Sequence, residues 1–460
     1  MNPQIFREYD IRGVEGHDFD ADDVERIGRA FGTYVRQRGG KRLTVGRDHR
    51  LSSEAFRTAL SRGLQATGCD IVDIGLVPTP LLYFSLFHLN TDGGCMITAS
   101  HNPAEYNGIK LCHGRGALYG EEIQQIRRLA EQGSFADGPS QRTEAEVISP
   151  YLDYITKQVR LQRPLRVVVD AGNGTSGLII QDLLRRLGCE VYELFCEVDG
   201  TFPNHHPDPT VPENLADIIR EVKARRADVG LAYDGDSDRL GVIDEHGEII
   251  WGDRLLVLFA REILSRRPGA KVIFDVKCSQ TLVDDIRQHG GVPIMWMTGH
   301  SLIKKKLYDE EAAVAGEMSG HLFFADGYFG YDDALYASCR LLQILDRANA
   351  PLSTLLRDLP VTYSTPEIRV TCADEEKFQV VKQLMTRFQE EGQAREVITI
   401  DGARVVFPDG WGLVRASNTQ PALVLRFEAT TLQGLEAIQT FVTGKLRGFP
   451  SVKLDEKPVH

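Results

Sequence analysis

The chain has 460 residues, 42% hydrophobic and 26% charged, close to the averages of folded globular proteins, so composition points to neither disorder nor a membrane class. A formal net charge of −12 argues against a surface that gathers nucleic acid or acidic lipid through its overall field, so any anionic ligand needs a local basic pocket. At roughly 150 residues per domain the length predicts about three domains with room for a fourth. The N-terminus, Met1-Asn-Pro-Gln-Ile-Phe-Arg-Glu8, has no basic segment followed by an apolar core. No stretch approaches the ~18 uninterrupted apolar residues of a membrane-spanning helix, and a cytoplasmic protein is expected. The eight cysteines are scattered, form no C-x-x-C pair and fall partly inside apolar strands, which predicts reduced core thiols.

In chain order, one pattern appears three times: a buried strand, a helix, a second strand, then a third strand that runs into a polar loop. The first copy has strands at 43–46 and 69–75, a helix from Ser53 and a third strand at 94–97 entering Thr98-Ala-Ser-His-Asn-Pro103. The second has strands at 166–170 and 189–195, a helix from Ser176 and a third strand at 229–233 entering Asp234-Gly-Asp-Ser-Asp-Arg239. The third has strands at 271–275 and 292–297, a helix from Gln280 and a third strand at 312–315 entering Gly316-Glu-Met-Ser-Gly-His321. Polar stretches at 133–142 and 359–366, and a break near Trp251-Gly-Asp253, divide the chain. Asp253 is expected to cap a helix over 254–264. Beyond Glu367 the rhythm stops: strands are predicted at 368–371, 396–400 and 422–426, with a helix at 376–391 and helical apolar spacing from Leu432 to Val442. The fold class expected is α/β: three similar mixed-sheet repeat domains (1–145, 146–252, 253–364) and a smaller C-terminal α+β domain (365–460), with the active site in a central cleft.

Sheets of this kind place ligand chemistry in the loops at the carboxyl ends of their strands. Ser100, between Ala99 and His101, is either a nucleophile helped by His101 or Lys110 or a serine that hydrogen-bonds its own turn. Asp234, Asp236 and Asp238 recur at every second position, a concentration of carboxylates that needs a cation or strong solvation to offset its repulsion. An EF-hand is opposed by Arg239 at the sixth position, where that loop needs glycine, and by flanking segments that read as strands. A single hard cation fits the loop, with Mg²⁺ favoured if a phosphate oxygen completes its shell. Glu317, Ser319 and His321 lie between or beside glycines and are spaced to grip vicinal hydroxyls, or form an ordinary charged turn. Arg415-Ala-Ser-Asn-Thr-Gln-Pro421, with Arg426 beyond, has the donors of a phosphate site, or is a surface turn with an incidental arginine.

These four loops, in this order, closely resemble the α-D-phosphohexomutase family, in particular its bacterial phosphomannomutase/phosphoglucomutase branch. Further matches are Phe6-Arg-Glu-Tyr-Asp-Ile-Arg-Gly13, Val45-Gly-Arg-Asp48, Asp199-Gly-Thr-Phe-Pro-Asn-His205, Lys277 and Thr298-Gly-His-Ser301. The resemblance implies that Ser100 carries a phosphoryl group and, with Asp234, Asp236 and Asp238, binds one Mg²⁺. It implies that Glu317 and Ser319 hold the 3- and 4-hydroxyls of a sugar. By the same likeness Arg415, Ser417, Asn418 and Thr419 bind the unreacting phosphate, and Tyr9, Arg12, Lys277 and His300 line the cleft. Arg239 would lie near the phosphoserine; His101, Lys110 and His321 are the candidates for proton transfer, unranked. Many relatives have a second glycine where Ser237 stands, and if that residue is left-handed the serine costs about a kcal/mol.

The implied reaction is reversible phosphoryl transfer between the 1- and 6-positions of a mannose or glucose phosphate through a hexose 1,6-bisphosphate, which also serves as activator. The C-terminal domain is the natural lid, the expected partner is a small phosphosugar with neither nucleic acid nor membrane, and the chain is expected to be a monomer or small homo-oligomer. The rivals are phosphoglucosamine mutase, whose sugar loop usually differs at Met318, a phosphosugar-binding regulator without catalysis, and a phosphatase.

Overall fold

A computed structural model describes residues 1–390, 394–417 and 421–454. The first unit comprises β1 (Ile11–Val14), α1 (Ala21–Gln37), β2 (Arg42–Arg47), α2 (Ser53–Ala66), β3 (Asp70–Leu76), α3 (Thr79–His88), β4 (Gly93–Ile97), β5 (Tyr106–His113), β6 (Gly116–Ala117), α4 (Glu121–Gln132) and β7 (Arg142–Glu144). The second contains α5 (Ile148–Gln158), β8 (Arg166–Asp170), α6 (Ile180–Arg186), β9 (Glu190–Leu194), α7 (Ala216–Arg225), β10 (Val229–Tyr233), β11 (Leu240–Ile243) and β12 (Ile249–Ile250). The third contains α8 (Gly252–Arg266), β13 (Lys271–Asp275), α9 (Gln280–Gln288), β14 (Val292–Trp296), α10 (His300–Asp309), β15 (Val314–Gly316), β16 (Leu322–Phe324), α11 (Ala334–Ala348) and α12 (Leu352–Leu355).

The repetition read from sequence is a repetition of topology. β2 pairs in parallel with β3 on one side and β4 on the other, and β5 returns antiparallel against β4. β8 does the same with β9 and β10, followed by β11, and β13 with β14 and β15, followed by β16. β4 and β10 are buried at every residue, as strands covered on both faces must be, and so read as apolar runs without alternation. The three polar loops are the turns between each third strand and its antiparallel neighbour, at the carboxyl ends of β4, β10 and β15. The third of these strands starts two residues later than the sequence suggests.

The helix expected at 254–264 is α8, which begins at Gly252 with Trp251 in the cap position. Asp253 therefore lies inside the first turn and does not cap: its carboxylate accepts from the amides of Arg254 (2.9 Å) and Ser279 (3.0 Å), tying α8 to the start of α9.

In the C-terminal unit β17 (Tyr363–Ser364), β18 (Ile368–Cys372), α13 (Asp374–Glu390), β19 (Glu396–Ile398), β20 (Ala403–Phe407), β21 (Gly410–Ala416), β22 (Ala422–Ala429), α14 (Leu432–Leu446) and β23 (Val452–Lys453) form an antiparallel sheet with two helices. Its order is β19-β20-β21-β22-β18-β23, with β17 beside β22. Residues 363–364 thus pair with the C-terminal sheet, although the sequence division left them in the third unit. The hairpin of β20 and β21 is absent from the sequence expectations; Arg404, Gly412 and Arg415 interrupt the apolar pattern that would have marked it.

The largest apolar cluster is continuous from α3 through α5, α6 and β8 to α8, α9 and α11, so the three repeats share one core. A second lies under α1, α2 and α4, and a third fills the C-terminal unit. All eight cysteines are free, seven of them buried. Among the described residues no helix is long and apolar enough to cross a membrane.

Where α1 crosses α2, side chains are too large for the gap. A Cβ on Gly28 would stand 2.6 Å from the Leu60 carbonyl, and one on Gly63 would overlap the carbonyl of Glu25. Because both partners are backbone, neither can move aside cheaply. Gly63→Ala is expected to destabilise the first unit by about 2–3 kcal/mol, read as an earlier first transition in denaturant unfolding, with turnover per folded molecule unchanged.

Candidate active site

The loop after β4 carries Ser100 at φ +52°, a left-handed conformation unusual for a residue with a Cβ. That turn aims the hydroxyl at the second repeat. Ser100 Oγ donates to Asp234 Oδ2 at 2.8 Å and lies 3.1 Å from His101 Nδ1, while the Ser100 amide donates to Thr98 Oγ1. Burial, then the positive charges of Arg239 and Arg12, push the His101 pKa well below its ordinary value, so at neutral pH the ring is uncharged. Arg12 donates to Asn102 Oδ1 at 2.7 Å and pairs with Asp10, which puts its charge beside the serine loop.

Asp234, Asp236 and Asp238 are wholly buried, and one carboxylate oxygen from each lies within 4.8 Å of the other two. Lys110 on β5 donates to Asp236 Oδ2 (2.7 Å) and Asp238 Oδ2 (2.5 Å). Burial alone would lower the lysine pKa, but the two carboxylates outweigh it and hold it well above the ordinary range. Thr79, opening α3, donates its hydroxyl to Asp236 Oδ2 at 2.6 Å. The Asp234 pKa is likewise well above normal, through burial and the neighbouring Asp238 and Asp236. Oδ1 of Asp236 and of Asp238 are buried without a hydrogen-bond partner. Three clustered carboxylates, two of them with orphaned oxygens and already gripping an ammonium, fit a hard cation. The flanking β10 and β11 run antiparallel, in place of the helices an EF-hand requires.

Ser237 has φ +69°, so the strain anticipated from sequence is present. Its hydroxyl, 3.0 Å from that of Thr175, gives the serine a partner that glycine would lack.

The third loop meets the second directly. Leu240 donates its amide to the Gly320 carbonyl, and Arg239 Nε donates to His321 Nε2, both at 3.0 Å. His321 Nδ1 lies 3.2 Å from Asp332 Oδ2 and 3.5 Å from Asp238 Oδ1. Glu317 accepts from the Gly299 amide (2.6 Å) and the Ser319 hydroxyl (3.1 Å), and burial raises its pKa. Gly299 precedes His300, whose ring stacks on His321 at 5.6 Å and meets Tyr9 edge-on at 5.9 Å. Tyr9 donates to the Thr298 carbonyl, so the first unit closes one wall of the third.

The Thr298 amide and Arg415 Nε both donate to Asp401 Oδ2, at 3.0 and 2.9 Å, which joins the C-terminal arginine to the same wall. Lys277 Nζ donates to Glu367 Oε1 at 2.6 Å. Ser417 is buried and its amide donates to the Ala422 carbonyl; Asn418 and Thr419 lie outside the described residues. Every other residue singled out from sequence therefore belongs to one connected set that draws on all four units. Sequence reasoning passed over Thr79, Asp332, Glu367 and Asp401. Asp332 had a visible signal, an adjacent pair with Asp333, whereas the rest are ordinary residues until the units are packed.

Four family models match the chain in order. They are described as phosphoglucomutase/phosphomannomutase alpha/beta/alpha domains I (residues 3–137), II (149–247) and III (251–363) and the C-terminal domain (367–445). The chain is 47% identical over 447 residues to the phosphomannomutase/phosphoglucomutase of Pseudomonas aeruginosa, covering 97% of this chain and 96% of that one. It is 48% identical over 438 residues to the phosphoglucomutase of Neisseria gonorrhoeae, covering 95% of each. A crystal structure of a phosphoglucomutase/phosphomannomutase family protein from Burkholderia thailandensis superposes with a TM-score of 0.91 at 47% identity, covering 97% of this chain and 98% of that one.

Burial works to raise the Glu367 pKa, but Lys277, then Arg369 and Arg415, bring it down to about 2 from the ordinary 4.5. A depressed carboxylate contributes stability that is complete above its unfolded pKa and is lost as pH falls through the folded one. The stability advantage of wild type over Glu367→Gln should be constant between pH 5 and 8 and shrink as pH drops from about 4.5 towards 2. Denaturant titrations of both proteins across that range check it.

Proposed function

Because the chain belongs to the phosphoglucomutase/phosphomannomutase family, we propose that Ser100 is the serine through which it works. The protein is a phosphohexomutase, an isomerase that moves a phosphoryl group between the 1- and 6-positions of a hexose by way of a phosphoserine and a bisphosphorylated sugar. The observation that carries the assignment is the Ser100 hydroxyl, 2.8 Å from Asp234 at the edge of the buried acidic cluster.

Transfer begins with a hexose monophosphate whose free hydroxyl faces the phosphoserine. The bond from phosphorus to Ser100 Oγ breaks, a bond from phosphorus to the sugar oxygen forms, and the hydroxyl proton passes to a neighbouring base. The hexose 1,6-bisphosphate then turns end over end, and its other phosphoryl group returns to Ser100. His101, uncharged and 3.1 Å from Oγ, is placed to take or return a proton at that atom; His321, held by Arg239 and facing Asp332, is the candidate on the sugar side. Lys110 and Arg239 bring positive charge to the transfer site, where charge spreads over the phosphoryl oxygens. Asp234, Asp236 and Asp238 with Ser100 would hold Mg²⁺, which when bound neutralises those oxygens.

The phosphate that is not reacting sits in the C-terminal loop with Arg415 and Ser417, joined by Asn418 and Thr419, while Tyr9, Arg12, Lys277 and His300 line the cleft between. Glu317 and Ser319 hold the 3- and 4-hydroxyls in either orientation, which leaves carbon 2 unread, so glucose and mannose phosphates are both substrates. A hexose 1,6-bisphosphate serves as activator by restoring the phosphoserine when the intermediate escapes. The partner is a phosphosugar and the compartment the cytoplasm.

Intact mass of the purified protein should show one phosphate, located on Ser100. Ser100→Ala should lose interconversion of 1- and 6-phosphates by about a thousandfold or more. Retention of a tenth of the activity by that variant would refute the assignment. Chelation should stop turnover and Mg²⁺ restore it, and glucose and mannose 1-phosphates should compete for one site. Small-angle scattering should show a smaller radius of gyration with bound bisphosphate, as the C-terminal unit closes to exclude water.

A further inference from the structure

Val45-Gly-Arg-Asp48 ends β2, and nothing in the reaction scheme uses it. Two residues beyond it stands Arg50, whose side chain has no exposure at all. A guanidinium has five N–H donors in one plane, and here the four on Nη1 and Nη2 are all spent on backbone carbonyls. Nη1 donates to the carbonyls of Pro103 (2.5 Å) and Tyr106 (3.0 Å), and Nη2 to those of Ser100 (2.8 Å) and Asn102 (2.6 Å). Nε faces Asp48 Oδ2 at 3.2 Å. Asp48 is fixed in turn: its own amide donates to the Ile97 carbonyl, and its Oδ1 accepts from the Arg50 amide and the Ser53 hydroxyl. On its far side the guanidinium lies 5.1 Å over the ring of Phe202, in the second unit.

We infer that Arg50 is a positioning residue for phosphoryl transfer, holding the serine loop in the turned-in shape that keeps Ser100 Oγ on the acidic cluster. It touches neither the nucleophile's hydroxyl nor the sugar site. Four carbonyls between Ser100 and Tyr106 converge on it, and without it the segment would lose the one side chain that gathers them. The left-handed turn at Ser100 is held on one side by the Ser100 amide on Thr98 Oγ1 and the Asn102 amide on the Ala99 carbonyl, and on the other by Arg50. The role matters twice per turnover, because the serine must give up a phosphoryl group and later receive one in the same place. Lysine keeps the charge but offers three donors from a single point, so it cannot span four carbonyls and a carboxylate.

This rests on Ser100 as the phosphoryl carrier, and the experiment separates the two claims. Arg50→Lys, Asp48→Asn and a control, Arg340→Lys, are purified and their serine phosphorylation is measured by intact mass before kinetics. Arg340 is a buried arginine in the third unit, paired with Glu262. At equal phosphorylation, Arg50→Lys should lower kcat by about a hundredfold with KM for the hexose phosphate within about twofold, as expected when a reacting atom is displaced and the binding loops are not. Asp48→Asn should move kcat in the same direction and less. Arg340→Lys should lower the melting temperature and leave both constants alone. An Arg50→Lys enzyme with kcat within about twofold of wild type, or whose losses mirror the control, overturns the inference, as does failure of both loop variants to fold, which would make Arg50 purely structural. Absence of phosphate on Ser100 in the wild type would instead overturn the carrier assignment.

Discussion

Three carboxylates buried together in one six-residue loop are the constraint to which the rest of the molecule answers. Left alone they would repel one another and draw in water, and the loop would open. The loop meets part of the demand itself, since Asp234 Oδ1 accepts from the amides of Asp238 (3.0 Å) and Arg239 (3.1 Å). The remainder comes from outside. Lys110 and Thr79 belong to the first unit, His321 to the third, and Ser100 supplies the hydroxyl that Asp234 accepts. The acidic loop is stable only as the centre of an assembly, and what that assembly places around it is Ser100 on one side and the loop at 316–321 on the other.

Repetition of one topology makes such an assembly geometrically simple. Because β4, β10 and β15 occupy the same position in their sheets, three loops of similar origin can be turned toward one point. Close approach then depends on backbone rather than side chains. A Cβ at Gly235 would stand 2.5 Å from the Ser100 carbonyl, and one at Gly320 2.5 Å from that of Leu240. Gly235 is thus required where the acidic loop meets the loop that carries Ser100, and Gly320, at φ +94°, where it meets the loop that carries Glu317.

The repeats and their loops were legible because buried parallel strands write continuous apolar runs and functional loops gather unusual polar residues. The triad at 234–238 announced itself through charge alone. The hairpin of β20 and β21 was missed for the opposite reason: its buried face carries Arg404 and Arg415, which look like surface residues until Trp411 is seen stacked 3.7 Å from the first. Asp401, Glu367 and Thr79 act across unit boundaries, and a local pattern holds no information about a partner 90 or more positions away. Ser237 shows the converse, since the glycine that many relatives have there pointed to a left-handed backbone while its hydrogen bond to Thr175 needed the packed structure.

The C-terminal unit is bound to the third repeat by a buried polar contact. Arg404 donates to the carbonyls of Val276 and Cys278, and Arg426 to that of Lys277, so two buried arginines hold three consecutive carbonyls. The side chain between them, Lys277, reaches Glu367 at the edge of the cleft. Val276 packs on Trp411 and Leu413 in a small apolar cluster of its own. Breaking this contact would strand charged donors without partners, at a penalty larger than an exposed ion pair carries. Rotation of the C-terminal unit as a whole therefore loads the segment that presents Lys277, and the Arg415 loop and that lysine are mechanically linked.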